Sequence, residues 1–323
     1  DDSVDPGGSM PLYESETLCV HEHDMGLACT DNVNNYAFYS RTPAIDTPLR
    51  QNPDPSPAMT YNSSKTYLTL VVGDGDNTGY IKTTRFAWFQ ERLARCQHDP
   101  SYLGCFPLVW TISPHLTYLA PDWLRWYFDA SKETQQDFFV LPPSGHLYAY
   151  PSLMTGDTLT NFVERTERDC TLLNTSGTVA WEFTTTWEKA MRDYFPLYAN
   201  RSITRGFFAV NVPFMLPVMA FGEGAYREFD ESVVVFKPHE WRGTTKEPYP
   251  FSKQSSIPPP EMAAEINAYP PGTVTNIYLT SDGGANLTTL YDLVPLLDEH
   301  VEVVNHNVLV EMGLQRSRAQ KQP

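Results

Sequence analysis

The stretch that constrains this chain most is Lys65 to Asn77, KTYLTLVVGDGDN. From Leu68 to Gly73 it is apolar apart from Thr69, too apolar for a strand with one face in water, and this predicts a strand buried on both faces. Strands of that kind lie inside parallel α/β sheets. The run stops abruptly in Asp74, Gly75, Asp76 and Asn77, which puts two carboxylates and an amide at the carboxyl end of a strand, where α/β proteins keep their chemistry. Asp74 and Asp76 are therefore the expected floor of a site, with Asn77 beside them as a substrate ligand.

The remaining pattern alternates. Helical spacing at Thr84–Gln97, from Pro121, at Leu159–Leu173, Trp187–Phe195, Glu261–Ala268, Thr288–Asp298 and Asn307–Gln315 takes turns with short strand patterns. Those strands fall at Pro107–Ile112, Asp137–Leu141, Thr178–Phe183, Gly206–Val210, Val218–Phe221, Ser232–Phe236, Val274–Leu279 and Val301–Val304. The count predicts an α/β fold, an irregular (β/α) TIM-like barrel of seven or eight mostly parallel strands, with a doubly wound open sheet as the alternative. Residues 61–315 form this barrel-like domain. Residues 1–60 show no sustained period and are dense in proline from Thr42 to Pro57, so they read as an extended arm or linker, pinned by Tyr36, Phe38 and Tyr39. The basic, polar residues 316–323 read as a disordered tail.

A formal charge of -16 repels phosphate backbones and anionic membranes, which excludes nucleic acid and lipid surfaces as expected partners and leaves cations and neutral polar ligands. No run is long and apolar enough for a spanning helix, so membrane insertion is not expected either. The 5 cysteines fall as two close pairs, Cys19 with Cys29 and Cys96 with Cys105, leaving Cys170 alone. Two local disulfides are the economical reading. Sequons stand at Asn62, Asn174, Asn200 and Asn286. Together with the cysteine pairs they predict a secreted or extracellular glycoprotein, and Cys170 is then a candidate link to a partner chain.

Directly after the strand DFFVL the chain reads PPSGHLYAYP, Pro142 to Pro151. With GDGDN on the first strand, this resembles the family of putative glycoside hydrolases named for a G-x-G-Y-x-Y-P motif. Gly145, Tyr148, Tyr150 and Pro151 match the motif, and Leu147 stands where its second glycine belongs. The resemblance extends more loosely through Ser113–Tyr127 and covers about residues 60 to 315. It implies a barrel-like hydrolase domain, acting on carbohydrate, that is normally preceded by another domain; a partner domain or chain could stand in for that one.

Glycoside cleavage needs one carboxylic acid to protonate the leaving oxygen and a second carboxylate as nucleophile or base. On an extended chain Asp74 and Asp76 project to one side about 7 Å apart, a permissive spacing. Glu182, beside Trp181, and Glu223, in a Gly-rich turn, are the other candidate acids. Trp110, Tyr148 and Tyr150 are candidate platforms for sugar rings, and Ser144, Gly145 and His146 candidate polar contacts. The competing readings are structural: a capping acid, a core tryptophan, a hydrogen-bonded loop histidine. DGDNTG also resembles the first half of a calcium loop, although Arg85 stands where a closing Glu is needed. No other cofactor is expected. The sequence thus points to a carbohydrate-active hydrolase working through paired carboxylates, with a catalytically silent structural or adhesive glycoprotein on the same fold as the alternative.

Overall fold

The computed structural model describes residues 41–51, 59–182, 185–210, 226–237, 239–241, 257–280 and 286–321. Ten strands are defined: β1 (Thr66–Val72), β2 (Leu108–Thr111), β3 (Asp137–Val140), β4 (Gly177–Ala180), β5 (Gly206–Ala209), β6 (Tyr226–Phe229), β7 (Val233–Phe236), β8 (Glu240–Trp241), β9 (Val274–Leu279) and β10 (Val301–Val303). β1 is buried along its whole length, as its composition predicts. It is parallel to β9 over Tyr67–Val72 on one edge. Its other edge is shared, by β10 at Thr66–Leu68 and by β2 at Val71 and Val72.

The sheet order is β3-β2-β1-β9-β8, and a second sheet runs β4-β5-β7-β6. A parallel bridge between Leu141 and Thr178 links the two. The strands thus follow one another in the order of a barrel, but no closed sheet forms among the described residues. The free edge of β7 is occupied by β6, which pairs with it antiparallel, and β8 is only 2 residues long, so nothing joins β7 to β8 and β9 among the described residues. The described residues thus form a mixed, mostly parallel α/β arrangement with no closed sheet, and the strand expected at Val218–Phe221 lies outside them.

Alternate side chains of these doubly buried strands enter two different cores. Leu68, Leu70, Val72, Leu108, Trp110, Phe139 and Ile277 face an outer layer with Phe89, Leu124, Phe128, Met262 and Leu290 from the helices. Tyr67, Val71, Val109, Val140, Val179, Phe208, Phe236 and Tyr278 face inward, where Leu309, Val310, Met312 and Leu314 of the helix His306–Lys321 pack against them. Burying Leu309 and Met312 fully contributes about 1.5–3 kcal/mol each. This helix continues through Lys321, whose ammonium meets Glu228 at 3.2 Å, so residues 316–321 are not the frayed tail that their polarity predicts.

The described part of the arm lies on the outer layer. Ile45 is buried and its N–H donates to the Thr117 carbonyl, while the Gln51 amide both donates to the Phe139 carbonyl and accepts from the Phe139 N–H, each at 2.8 Å. Tyr36, Phe38 and Tyr39 lie outside the described residues. Cys96 and Cys105 are joined, with Cα atoms 4.8 Å apart, at the end of the helix Thr84–His98. Cys19 and Cys29 lie outside the described residues. Cys170 is fully buried and accepts from the Thr204 hydroxyl at 3.3 Å. A thiol so enclosed cannot reach a second chain, which corrects its expected role as an intermolecular link. No helix among the described residues is long and apolar enough to cross a membrane.

Candidate active site

Asp74 ends β1 in the left-handed region, φ 62°, and the Asn77 N–H donates back to its carbonyl at 3.3 Å. The acids therefore sit on a tight turn, not on the extended chain from which their spacing was reckoned. Gly75 is needed because the turn presses on β2: a Cβ there would stand 1.9 Å from the Thr111 carbonyl oxygen. The Gly75 N–H donates to Thr111 Oγ1 at 2.8 Å. Asn77 then caps the helix Thr78–Lys82, its side-chain oxygen accepting from the Tyr80 N–H at 3.1 Å.

Three further groups enclose this turn. Tyr278, on the inward face of β9, accepts from the Asp74 N–H at 3.3 Å. Arg85 is buried, with its guanidinium 5.4 Å from the Trp110 ring, and Nη1 donates to the Val72 and Thr111 carbonyls at 3.4 and 3.5 Å. Burial draws Arg85 down from its ordinary range, opposed first by Asp74. Asp76 keeps some exposed surface but is mostly enclosed by protein. That enclosure, followed by the charge of Asp74, pushes its carboxyl up to about 7, against its own backbone and Arg85. A carboxyl titrating there can hold a proton at neutral pH and release it to a leaving group.

Arg85 Nη2, Trp181 Nε1 and Thr280 Oγ1, all buried, find no hydrogen-bond partner among the described residues. Trp181 and Thr280 lie just beyond the ends of β4 and β9, and Arg85 reaches the ends of β1 and β2 from its helix. Polar atoms so placed are costly unless something else satisfies them. Sequence reading missed Arg85, Tyr278 and Thr280. A signal existed for the first: Arg85, Phe89, Arg92 and Cys96 are the buried positions of one helix, so two arginines lie on its apolar stripe. For the calcium reading, no group of three ligating side chains joins the Asp pair among the described residues, and the Arg85 cation beside it opposes a second positive charge.

The other expected site residues are distributed differently. Trp110 is 1% exposed on the outer face, packed on Phe89 at 5.2 Å, and its indole N–H donates to Asp137 at 2.7 Å; it is a core residue and offers no face to a sugar. Asp137 in turn pairs with the buried Arg92 at 3.2 Å. Glu182 is 0% exposed and accepts from the Ser152 N–H at 2.9 Å, from the Ser152 hydroxyl and from the Thr186 hydroxyl at 2.8 Å. Burial pushes it up to about 7, against the Ser152 bonds first, but its bonds tie down the turn after the tyrosine motif and do not reach toward Asp74 and Asp76. Glu223 lies outside the described residues.

The motif loop is a packed scaffold. Ser144 is buried; its hydroxyl donates to the Ala149 carbonyl at 2.7 Å and accepts from the Trp181 N–H at 3.2 Å. Gly145, at φ 111°, takes a backbone conformation that side chains rarely adopt, and a Cβ there would also meet Thr166 at 2.7 Å. His146 pairs its Nδ1 with Asp169 at 2.6 Å, and its carbonyl meets His115 Nε2 at 2.8 Å. Leu147, in the place of the motif's second glycine, is buried in the core with Phe162 and Val163. Tyr150 is fully buried, stacked 6.5 Å from Trp181, so it cannot be a sugar platform. Tyr148 is half-buried, 5.1 Å from Trp181, and of the two tyrosines it alone keeps an exposed edge.

Fold and site together define a mixed α/β protein whose acidic turn lies at the carboxyl ends of parallel strands. Residues 64–313 match the family described as the GxGYxYP putative glycoside hydrolase C-terminal domain, and the chain belongs to that family. Among solved structures, a putative hydrolase from Bacteroides thetaiotaomicron superposes with a TM-score of 0.66 at 21% identity, covering 88% of this chain and 52% of that one. The chain therefore spans about half the length of that structure. A putative polysaccharide deacetylase from Mycobacterium smegmatis gives a TM-score of 0.43 at 13% identity, covering 86% of this chain and 97% of that one. A 4-alpha-glucanotransferase from Thermococcus litoralis gives 0.44 at 10%, covering 76% and 40%. No curated protein matches the sequence.

Proposed function

We propose that this chain is a glycoside hydrolase domain in which Asp76 is the proton donor and Asp74 the second carboxylate. The observation that carries this reading is the enclosure of Asp76 beside Asp74, which keeps one carboxyl of the pair protonated near neutral pH. In the step envisaged, Asp76 passes its proton to the glycosidic oxygen as the bond from that oxygen to the anomeric carbon breaks. Asp74 supports the positive charge that develops on the sugar, and water adds its hydroxyl to the anomeric carbon while its other proton passes to Asp76, restoring the acid. Arg85 and Tyr278 are positioning residues that hold the turn. Family membership supports the reaction class, and the unpartnered Trp181 and Thr280 donors are suited to sugar hydroxyls. The test is turnover of aryl glycosides and oligosaccharides by the parent and by Asp76→Asn.

We also propose that the protein is an extracellular glycoprotein. All four sequon asparagines, Asn62, Asn174, Asn200 and Asn286, are exposed, and each could accept a glycan without disturbing a core. Glycopeptide mapping of natively sourced protein tests this; four bare asparagines would refute it. The second reading, a silent structural protein on the same fold, is favoured by the burial of Ser144, Leu147 and Tyr150, which makes the motif loop a scaffold.

A further inference from the structure

Between the helices that follow β1 and the helix Pro121–Thr134 lies a groove of about 310 Å³ lined by Ile81, Lys82, Phe86, Asp122, Trp123, Trp126 and Tyr127. Its walls come from two places that the fold brings together: the short helix following Asp76 with the start of the next one, and the first turns of the helix Pro121–Thr134. We propose that this groove is a second sugar subsite, which holds one ring of a neutral oligosaccharide whose cleaved bond lies at Asp74 and Asp76. This rests on the hydrolytic reading above for the position of the bond, but not for the binding itself.

Four observations carry it. Phe86, Trp123 and Trp126 are half-buried, so each is braced by the core while keeping an accessible surface, the arrangement in which an aromatic face stacks on the C–H face of a sugar. The rings are fixed among themselves, Phe86 against Trp126 at 4.5 Å and Trp126 edge-on to Tyr127 at 5.0 Å. At the rim stand an exposed ammonium, Lys82, and an exposed carboxylate, Asp122, one donor and one acceptor for ring hydroxyls. A mostly apolar pocket with a few polar groups is the usual make-up of a small-ligand site.

One wall of the groove is carried by the helix that starts from the acid turn. Asn77 caps the helix Thr78–Lys82, whose length is about 7 Å at 1.5 Å per residue, so Asp76 and Lys82 stand at opposite ends of one turn and a half of helix. The Tyr127 hydroxyl donates to the Ile81 carbonyl at 2.6 Å, locking the groove wall to that helix. Asp122 is already held by the Thr42 hydroxyl of the arm at 2.8 Å and by Arg125 at 3.3 Å, which fixes its orientation at the rim. The choice of a neutral sugar follows from charge: a chain of formal charge -16 disfavours sulfated or uronic polymers.

The test uses the full chain carrying Asp76→Asn, so that turnover does not consume the probe. Binding of cello-, xylo-, manno- and chito-oligosaccharides, from monosaccharide to hexasaccharide, is followed by calorimetry. The affinity of at least one series should rise with chain length. Adding Trp123→Ala should then lower the affinity for the longer members about ten-fold while leaving the shortest member unchanged, and Trp123→Phe, which keeps an aromatic face, should recover most of it. An unchanged melting temperature shows that the tryptophan variants fold. Equal affinities with and without Trp123, or no binding of any series, overturn the subsite. If the otherwise native protein hydrolyses none of these sugars while Trp123→Ala still weakens their binding, the subsite stands and the hydrolytic reading fails. If hydrolysis occurs and Trp123→Ala leaves KM for the long members unmoved, the reverse holds.

Discussion

The Thr111 hydroxyl joins Gly75 to β1: it accepts from the Gly75 N–H at 2.8 Å and donates to the Val72 carbonyl at 3.0 Å. One side chain on β2 thus fixes the turn that carries both acids. Gly75→Ala would set a methyl 1.9 Å from a backbone oxygen that cannot yield, so it should cost more than the roughly 1–3 kcal/mol of ordinary overpacking. Thr111→Val, which strands the Gly75 N–H, should cost about 1–3 kcal/mol. Urea unfolding measures both, and a Gly75→Ala protein as stable as the parent would contradict the tight turn.

Asp76 and Glu182 are both raised to about 7 from ordinary values of 3.8 and 4.5. Between those limits the folded protein holds more protons than the unfolded chain, so the contribution of these groups to stability is greatest below about pH 4 and declines as pH rises through 7. Activity that depends on protonated Asp76 should fall over the same upper limb. Thermal melts of Asp76→Asn and of the parent across this range should show a flatter slope for the variant. Identical slopes would mean that Asp76 titrates as an ordinary surface acid.

Glu182 separates structure from chemistry. Glu182→Ala removes the acceptor for the Ser152 N–H and for two hydroxyls, leaving buried donors unpaired at a cost of about 1–3 kcal/mol. Turnover per folded molecule should be unchanged. A large loss of turnover at normal stability would return Glu182 to the catalytic set.

The link between Cys96 and Cys105 closes a loop with a sequence separation of 9. A loop of that size is worth about 2–3 kcal/mol through the entropy of the unfolded chain, and the Cys96→Ala, Cys105→Ala double variant should lose that much. Equal stability of parent and double variant would show that the bridge is dispensable.

How much of this was legible in the sequence depends on which forces act locally. β1 declared itself because a doubly buried strand is mostly apolar, and the Cys96–Cys105 pair because a short loop keeps its ends close. The antiparallel pairing of β6 with β7 was not legible, since a competition between sheet edges leaves no periodic trace. Asp74 and Asp76 were visible as acids at a strand end, but their geometry was misjudged because the left-handed Asp74 bends the chain back. Residue type alone marks Trp110, Tyr150 and Glu182 as candidates. Strand parity and the packing of Asp137, Trp181 and Ser152 around them instead place all three out of reach of a ligand. Tyr278 comes to the turn from β9, far away in sequence, and only the assembled fold unites it with the acids and Arg85.

The central claim is that Asp74 and Asp76 act as a catalytic pair, and it is tested most directly by turnover. The parent, Asp74→Asn and Asp76→Asn are assayed on a panel of aryl glycosides and on oligosaccharides by product analysis, with each melting temperature measured alongside. Amide for carboxylate keeps the shape but removes the proton donor or the supporting charge, so each substitution should lower kcat by about a hundred-fold or more with little change in melting temperature. Full turnover by both variants, or a drop in melting temperature with unaltered turnover of the folded fraction, would contradict it.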